Sequence, residues 1–143
     1  LVIPNVERWG APPGTDLKLL RLMGAFPAFS PDGKRLALVG DLSRLDQMKT
    51  DGSGRETIFA GRYRGLFSTS WAHQDERIAF AVGGVFEGTG AEVDLMTVRP
   101  DGSGLRQLTR QTGNNVFPSF SPDGKQLIFR SGRSSNKNLY LYK

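Results

Sequence analysis

The chain has 143 residues, 38% apolar and 23% charged, with 18 glycines, 8 prolines and no cysteine. That length and balance suit one turn-rich globular domain, and the missing thiols exclude disulfides, zinc–thiolate sites and cysteine nucleophiles. The net charge of +5 is unevenly placed, with 12 basic and 13 acidic side chains in residues 1–101 against 7 basic and 1 acidic in residues 102–143. No stretch reaches the roughly 18 apolar residues of a membrane helix, so no membrane span is expected. No charged-then-apolar leader precedes the repeats described below. The chain starts at Leu1 rather than at a methionine, which fits a processed or excised product.

In chain order, residues 1–16 hold three prolines and two glycines without a period, and read as an irregular N-terminal arm with Trp9 as its anchor. Leu17-Lys18-Leu19-Leu20-Arg21-Leu22 lies 12 residues before Phe29, as Leu108 lies 12 before Phe120, so residues 17–22 are expected to form an orphan outer strand. A hairpin is then spelled out by Phe26-Pro27-Ala28-Phe29-Ser30-Pro31-Asp32-Gly33-Lys34-Arg35-Leu36-Ala37-Leu38. The proline pre-sets the turn, the serine hydroxyl bonds the turn backbone, and the glycine takes the left-handed position. The stretch returns as Phe117-Pro118-Ser119-Phe120-Ser121-Pro122-Asp123-Gly124-Lys125-Gln126-Leu127-Ile128-Phe129. Between them, Phe67 to Phe80 keeps the aromatic-to-aliphatic spacing of seven (Trp71 to Ile78) but loses the Pro-Asp-Gly turn. A second phrase, Asp51-Gly52-Ser53-Gly54 against Asp101-Gly102-Ser103-Gly104, marks another hairpin in each unit. The repeat is therefore four strands long, with spacings of 42 and 49 residues, the length of one propeller blade.

The fold class expected is all-β: a β-propeller of about three four-stranded antiparallel blades. Blade one is assigned to residues 25–60, blade two to 67–110, and blade three, lacking its outer strand, to 116–143. Leu36-Ala37-Leu38-Val39 and Ile78-Ala79-Phe80-Ala81-Val82 are apolar throughout, as strands covered on both faces by neighbouring blades should be. Blade two carries a Gly-rich loop over residues 83–92, about eight residues longer than its counterpart, and Phe86 and Glu87 at its tip are candidate contacts. A tolerated insertion is the simpler reading of that loop.

The two Ser-Pro-Asp-Gly-Lys copies and the two Asp-Gly-Ser-Gly copies resemble the WD40-like Pro-Asp repeats of TolB-type β-propellers. The resemblance covers residues 17–143. Similar repeats occur in the tricorn protease, in plant TolB-like proteins, and in propellers that precede dipeptidyl-peptidase hydrolase domains. The resemblance implies a non-enzymatic binding or scaffold module that presents loops and a channel mouth to a protein or acidic glycan, in a secreted, periplasmic or extracellular setting. Two alternatives stay open: the accessory propeller of a dipeptidyl-peptidase-like serine hydrolase, or a polysaccharide-acting propeller enzyme. Because the repeat motifs build turns and strands, they name no chemistry.

Residue by residue, no catalytic or metal ligand is assigned and no cofactor is expected. His73 is the only histidine and sits where the worn turn of blade two falls, so turn filler is the simpler reading. The Gly-rich turns lack the following helix that a phosphate loop requires. Arg106, Arg110, Lys125, Arg130, Arg133, Lys137 and Lys143 carry the positive charge of the last third, and suit an acidic partner, although a solvated face explains them as well. Arg62-Tyr63-Arg64 and Arg130-Ser131-Gly132-Arg133 interleave basic with aromatic or small residues, a weak pattern for nucleic acid, which is not the expected partner. The residues put forward for partner contact are Arg130, Arg133, Lys137, Arg62, Arg64, Phe86 and Glu87.

Closed propellers use about four to eight blades. Three blades therefore imply either the remainder of a longer propeller chain or a homodimer closing a six-bladed ring, with Leu17–Leu22 of one copy completing the third blade of the other.

Overall fold

Each Asp-Gly turn folds its flanking apolar runs into neighbouring strands, and the result is three antiparallel sheets. The structure is a computed structural model that describes residues 24–61, 65–84, 91–134 and 136–143. Sheet one contains β1 (Ala25–Phe29), β2 (Arg35–Gly40), β3 (Arg44–Lys49) and β4 (Glu56–Ala60) in sequence order. Sheet two contains β5 (Leu66–Trp71), β6 (Ile78–Gly83), β7 (Val93–Val98) and the short β8 (Arg106–Gln107), again in sequence order. Sheet three has β9 (Asn115–Phe120), β10 (Leu127–Ser131) and β11 (Asn138–Tyr142), with β10 in the middle. The all-β propeller-blade architecture expected from the repeats is what the described residues form. The expected strand at Leu17–Leu22 lies outside them. Among the described residues no helix is long and apolar enough to cross a membrane.

The turns close as their chemistry dictates. Ser30 Oγ donates to Asp32 Oδ1 (2.6 Å) and accepts from the Arg35 N–H (2.8 Å), while Gly33 N–H reaches the Ser30 carbonyl with φ at 69°. Ser121, Asp123 and Gly124 repeat this, with Gln126 N–H bonding Ser121 Oγ at 3.0 Å and Gly124 at φ 68°. The worn copy keeps the closing bond, Ala72 N–H to the Arg77 carbonyl at 2.7 Å, but moves the left-handed residue to Glu76. In the second turn type, Asp51 and Asp101 each accept the N–H two residues on, at 2.8 and 2.9 Å.

The inner strands hold a feature the sequence reading did not foresee. Phe26, Ser68 and Phe117, at corresponding places in β1, β5 and β9, all adopt left-handed φ values of 53–57°. Register shifts between Ala25 and Ala28, between Phe67 and Ser70, and between the partners of Ile128 and Arg130 mark a β-bulge at each. A bulge leaves one residue out of the ladder, which is why Pro27 and Pro118, with no N–H to donate, are tolerated inside strands.

The core lies in the seams between sheets. Ala37, Val39 and Leu45 of sheet one pack against Ile78, Phe80, Val82, Met96 and Val98 of sheet two. The other face of sheet two, Ala79, Ala81, Val93 and Leu95, packs against Val116, Leu127 and Phe129 of sheet three. Strands buried on both faces must be apolar at every position, and β6 is. On the opposite face of sheet one a smaller cluster, Leu36, Leu38 and Met48, is also buried. Beside it the Asp46 carboxylate is fully enclosed, held by Arg55 (Nη2 2.7 Å) and the Thr57 hydroxyl (2.8 Å).

Candidate functional site

Strand register makes the three sheets directly comparable. Leu36 pairs with Met48, Ile78 with Val98 and Leu127 with Tyr142, so Leu45, Leu95 and Leu139 occupy one position, each three residues before that third-strand partner. Leu45 and Leu95 are 0% exposed, whereas Leu139 is 70% exposed. The same face of sheet three also presents Leu141, Ile128 and Phe117, all exposed. In sheets one and two the next sheet buries the residues that match Ile128 and Leu139, namely Ala37 and Leu45, and Ala79 and Leu95, while Phe26, which matches Phe117, stays exposed. The outward face of sheet three is thus an apolar surface shaped for a seam, and β11, bonded to β10 alone among the described strands, is its edge.

Two of the sequence-nominated arginines belong to sheet three, but on opposite faces. Arg130 points to the outward face, where its guanidinium lies 5.2 Å from the Phe117 ring centroid and Nη2 donates to Asn114 Oδ1 at 2.7 Å. Arg133 turns toward sheet two, stacked 4.4 Å from the Tyr140 centroid and 5.5 Å from that of Phe129, and its Nε donates to Ser131 Oγ at 3.0 Å. A cleft of about 420 Å³ opens beside it, lined also by Thr109, Arg110 and Tyr142. Lys137 is exposed in the β10–β11 connection. The structure therefore does not bring Arg130 and Arg133 into one clamp. Arg62, Arg64, Phe86 and Glu87 lie outside the described residues.

The turn aspartates are structural in their chemistry. Asp32, Asp101 and Asp123 are held below the usual carboxylate range, first by the hydroxyls of Ser30, Ser103 and Ser121 and then by backbone N–H groups of Lys34, Ser103 and Lys125. Hydroxyls and amides that favour the ionised form stabilise the turn, not a reaction. His73 is exposed on the turn before β6. Among the described residues no three His, Asp or Glu side chains gather as ligands for a cation.

No family model matches the chain. A TolB homologue of Chlorobium luteolum is 36% identical over 122 residues, which is 85% of this chain and 27% of the homologue. Dipeptidyl-peptidase 5 of Porphyromonas endodontalis is 34% identical over 116 residues, 75% of this chain and 16% of that protein. The chain thus spans about a quarter of the first relative's length and about a sixth of the second's. Among solved structures, TolB from Acinetobacter baumannii superposes with a TM-score of 0.63 at 21% identity, covering 83% of this chain and 29% of that one. At that identity the superposition speaks for the fold alone.

Proposed function

The chain belongs to the TolB-like β-propellers, and from that premise we propose that it works as a non-enzymatic interaction module whose outward face on sheet three docks a further blade of the same architecture. The observation that carries this is the contrast at one blade position: Leu45 and Leu95 sealed in seams, Leu139 in water. A neighbouring blade covers the positions that match Ile128, Leu139 and Leu141 in the two seams already formed, Ala37, Leu45 and Gln47 in one and Ala79, Leu95 and Thr97 in the other. In the 143-residue chain by itself, the blade that covers it comes from a second copy. Arg133, which stacks on Tyr140 away from that face, exposed Lys137, and Arg130 beside Phe117 are partner contacts at the rim. A secreted or periplasmic setting accords with the TolB relatives.

The dipeptidyl-peptidase relative favours one second reading: a propeller that accompanies a hydrolase domain. Both readings need the same seam. Light scattering on the purified chain tests it: wild type is expected to associate at micromolar concentration, and Leu139→Lys with Leu141→Lys is expected to give a folded monomer. A wild-type chain that is folded and monomeric throughout would overturn the docking face.

A further inference from the structure

The two seams end, at the rim that carries the Asp-Gly turns, in clefts built from equivalent residues but oppositely charged. The first, about 490 Å³, lies between sheets one and two and includes Arg35, Gln47, Glu56, Glu76, Arg99 and Asp101. The second, about 240 Å³, lies between sheets two and three and includes Arg77, Arg106, Lys125, Gln126, Tyr142 and Lys143. The strand registers align them: Arg35 with Arg77, each preceding the first residue of the buried run, and Arg99 with Lys143, each following the third strand. By the same alignment Glu56 corresponds to Arg106, each five residues past a third-strand turn Asp in its sheet, and Glu76 corresponds to Lys125, each two residues before the second strand's first paired residue.

In the first cleft the protein supplies its own carboxylates. Glu76 Oε1 accepts from Arg35 Nη2 across the seam at 3.1 Å, and Glu56 Oε1 accepts from Gln47 Nε2 at 2.6 Å. The Arg35 guanidinium meanwhile stacks 5.2 Å from the Trp71 centroid. The second cleft repeats the stacking, Arg77 lying 5.4 Å from the Phe120 centroid, but both carboxylates have become cations. Arg77 is left to bond Asp75 in its own turn and the Gly124 carbonyl at 3.0 Å. Arg106 reaches the Tyr142 hydroxyl at 3.4 Å. The other nearby side-chain carboxylate, Asp123, is engaged by the Ser121 hydroxyl and the Lys125 N–H. Among the described residues the Lys125 ammonium makes no hydrogen bond or ion pair.

We propose that this second cleft binds an acidic peptide segment, whose side-chain carboxylates take the places that Glu56 and Glu76 fill in the first. Like charges gathered in a concave site attract an anion and raise its rate of encounter. A peptide is the ligand class the first cleft itself exhibits, since the carboxylates that fill it are glutamate side chains of a polypeptide, Glu56 and Glu76. The assignment goes beyond the docking of blades and holds whichever module covers the outward face of sheet three.

The test is a fluorescence-anisotropy titration of the 143-residue chain, at about 20 mM salt where screening is weak, with a labelled peptide of alternating Glu and Gly. Its all-Gln counterpart, oligogalacturonate and inorganic phosphate are titrated in parallel. The Glu peptide is expected to bind, and Arg106→Glu with Lys125→Glu is expected to weaken it at least about tenfold by turning two attractions into repulsions. That pair copies the charges the first cleft already accommodates, so circular dichroism should be unchanged; if it does not fold, Lys125→Glu alone must weaken binding at least about threefold. Arg110→Gln, outside the cleft, should leave the affinity as it is. No binding to wild type, or binding unchanged by the reversals, would overturn the site. Equal affinity for the peptide, the oligogalacturonate and phosphate would overturn the peptide assignment.

Discussion

Sheet one holds a buried carboxylate, Asp46, paired with Arg55, where sheet two has a buried Met96 and an exposed Leu105, so the repeat shows that the strand position accepts an apolar side chain. Asp46 faces the Leu36, Leu38 and Met48 cluster, and its carboxylate meets Arg55 Nε at 2.8 Å and Nη2 at 2.7 Å. The corresponding residues of sheet two are Met96, which pairs with Phe80 as Asp46 pairs with Leu38, and Leu105, which follows its Asp-Gly-Ser-Gly turn as Arg55 does. Removing one partner of a buried pair costs about 3–5 kcal/mol, whereas replacing both with apolar groups is often neutral. Arg55→Leu strands a carboxylate with 2% exposure and should cost about 3–5 kcal/mol. Asp46→Met leaves a guanidinium with 25% exposure, which water partly solvates, so about 2–3 kcal/mol is expected. The double variant should come back to within about 1 kcal/mol of wild type. A double-mutant cycle from urea unfolding, followed by tryptophan fluorescence, measures the coupling directly. Single variants that each cost under about 1 kcal/mol, or a double variant that costs their sum, would refute the reasoning.

The turn aspartates impose a pH dependence. Because Asp32 and Asp123 have folded pKa values below the unfolded value near 3.8, their stabilisation is present above that pH and lost as pH falls through the folded values. Urea midpoints between pH 5 and pH 2 should fall less steeply in Asp32→Asn with Asp123→Asn than in wild type. Gly33→Ala should cost about 1 kcal/mol, since its φ of 69° is strained for alanine but nothing lies within 4 Å of the added Cβ. Gly83→Ala should cost clearly more, because its Cβ would stand 2.2 Å from the Glu92 backbone carbonyl oxygen, and the same unfolding assay ranks the two. Phe80→Ala, at the fully buried centre of the first seam, should cost about 3–5 kcal/mol.

The hairpins were legible because Ser-Pro-Asp-Gly-Lys fixes the turn through local chemistry, and two copies fixed the period. The bulges are not legible from the apolar spacing, although a proline inside an inner strand, as at Pro27 and Pro118, is the signal that the ladder is interrupted there. Arg130 and Arg133 separate because Arg130 lies on β10 beside Phe117, whereas Arg133 lies past the end of β10 and stacks on Tyr140. The charge reversal between the two clefts was hidden for another reason. Each cleft draws residues from two sheets, so Glu56 and Arg106, or Glu76 and Lys125, become comparable only once the seams are in place. The basic last third was visible as composition, but what gathers part of it into a site is the seam.

The docking of a further blade on sheet three is tested most directly by amide hydrogen exchange across Asn138–Tyr142 and Leu127–Ser131 in the 143-residue chain, measured from dilute to concentrated solution. The docking face predicts that protection of these two strands rises with concentration, and that Leu139→Lys abolishes the rise while β2 and β6 stay protected throughout. Exchange in Asn138–Tyr142 that is fast and independent of concentration, in a chain whose β2 and β6 are fully protected, would contradict it.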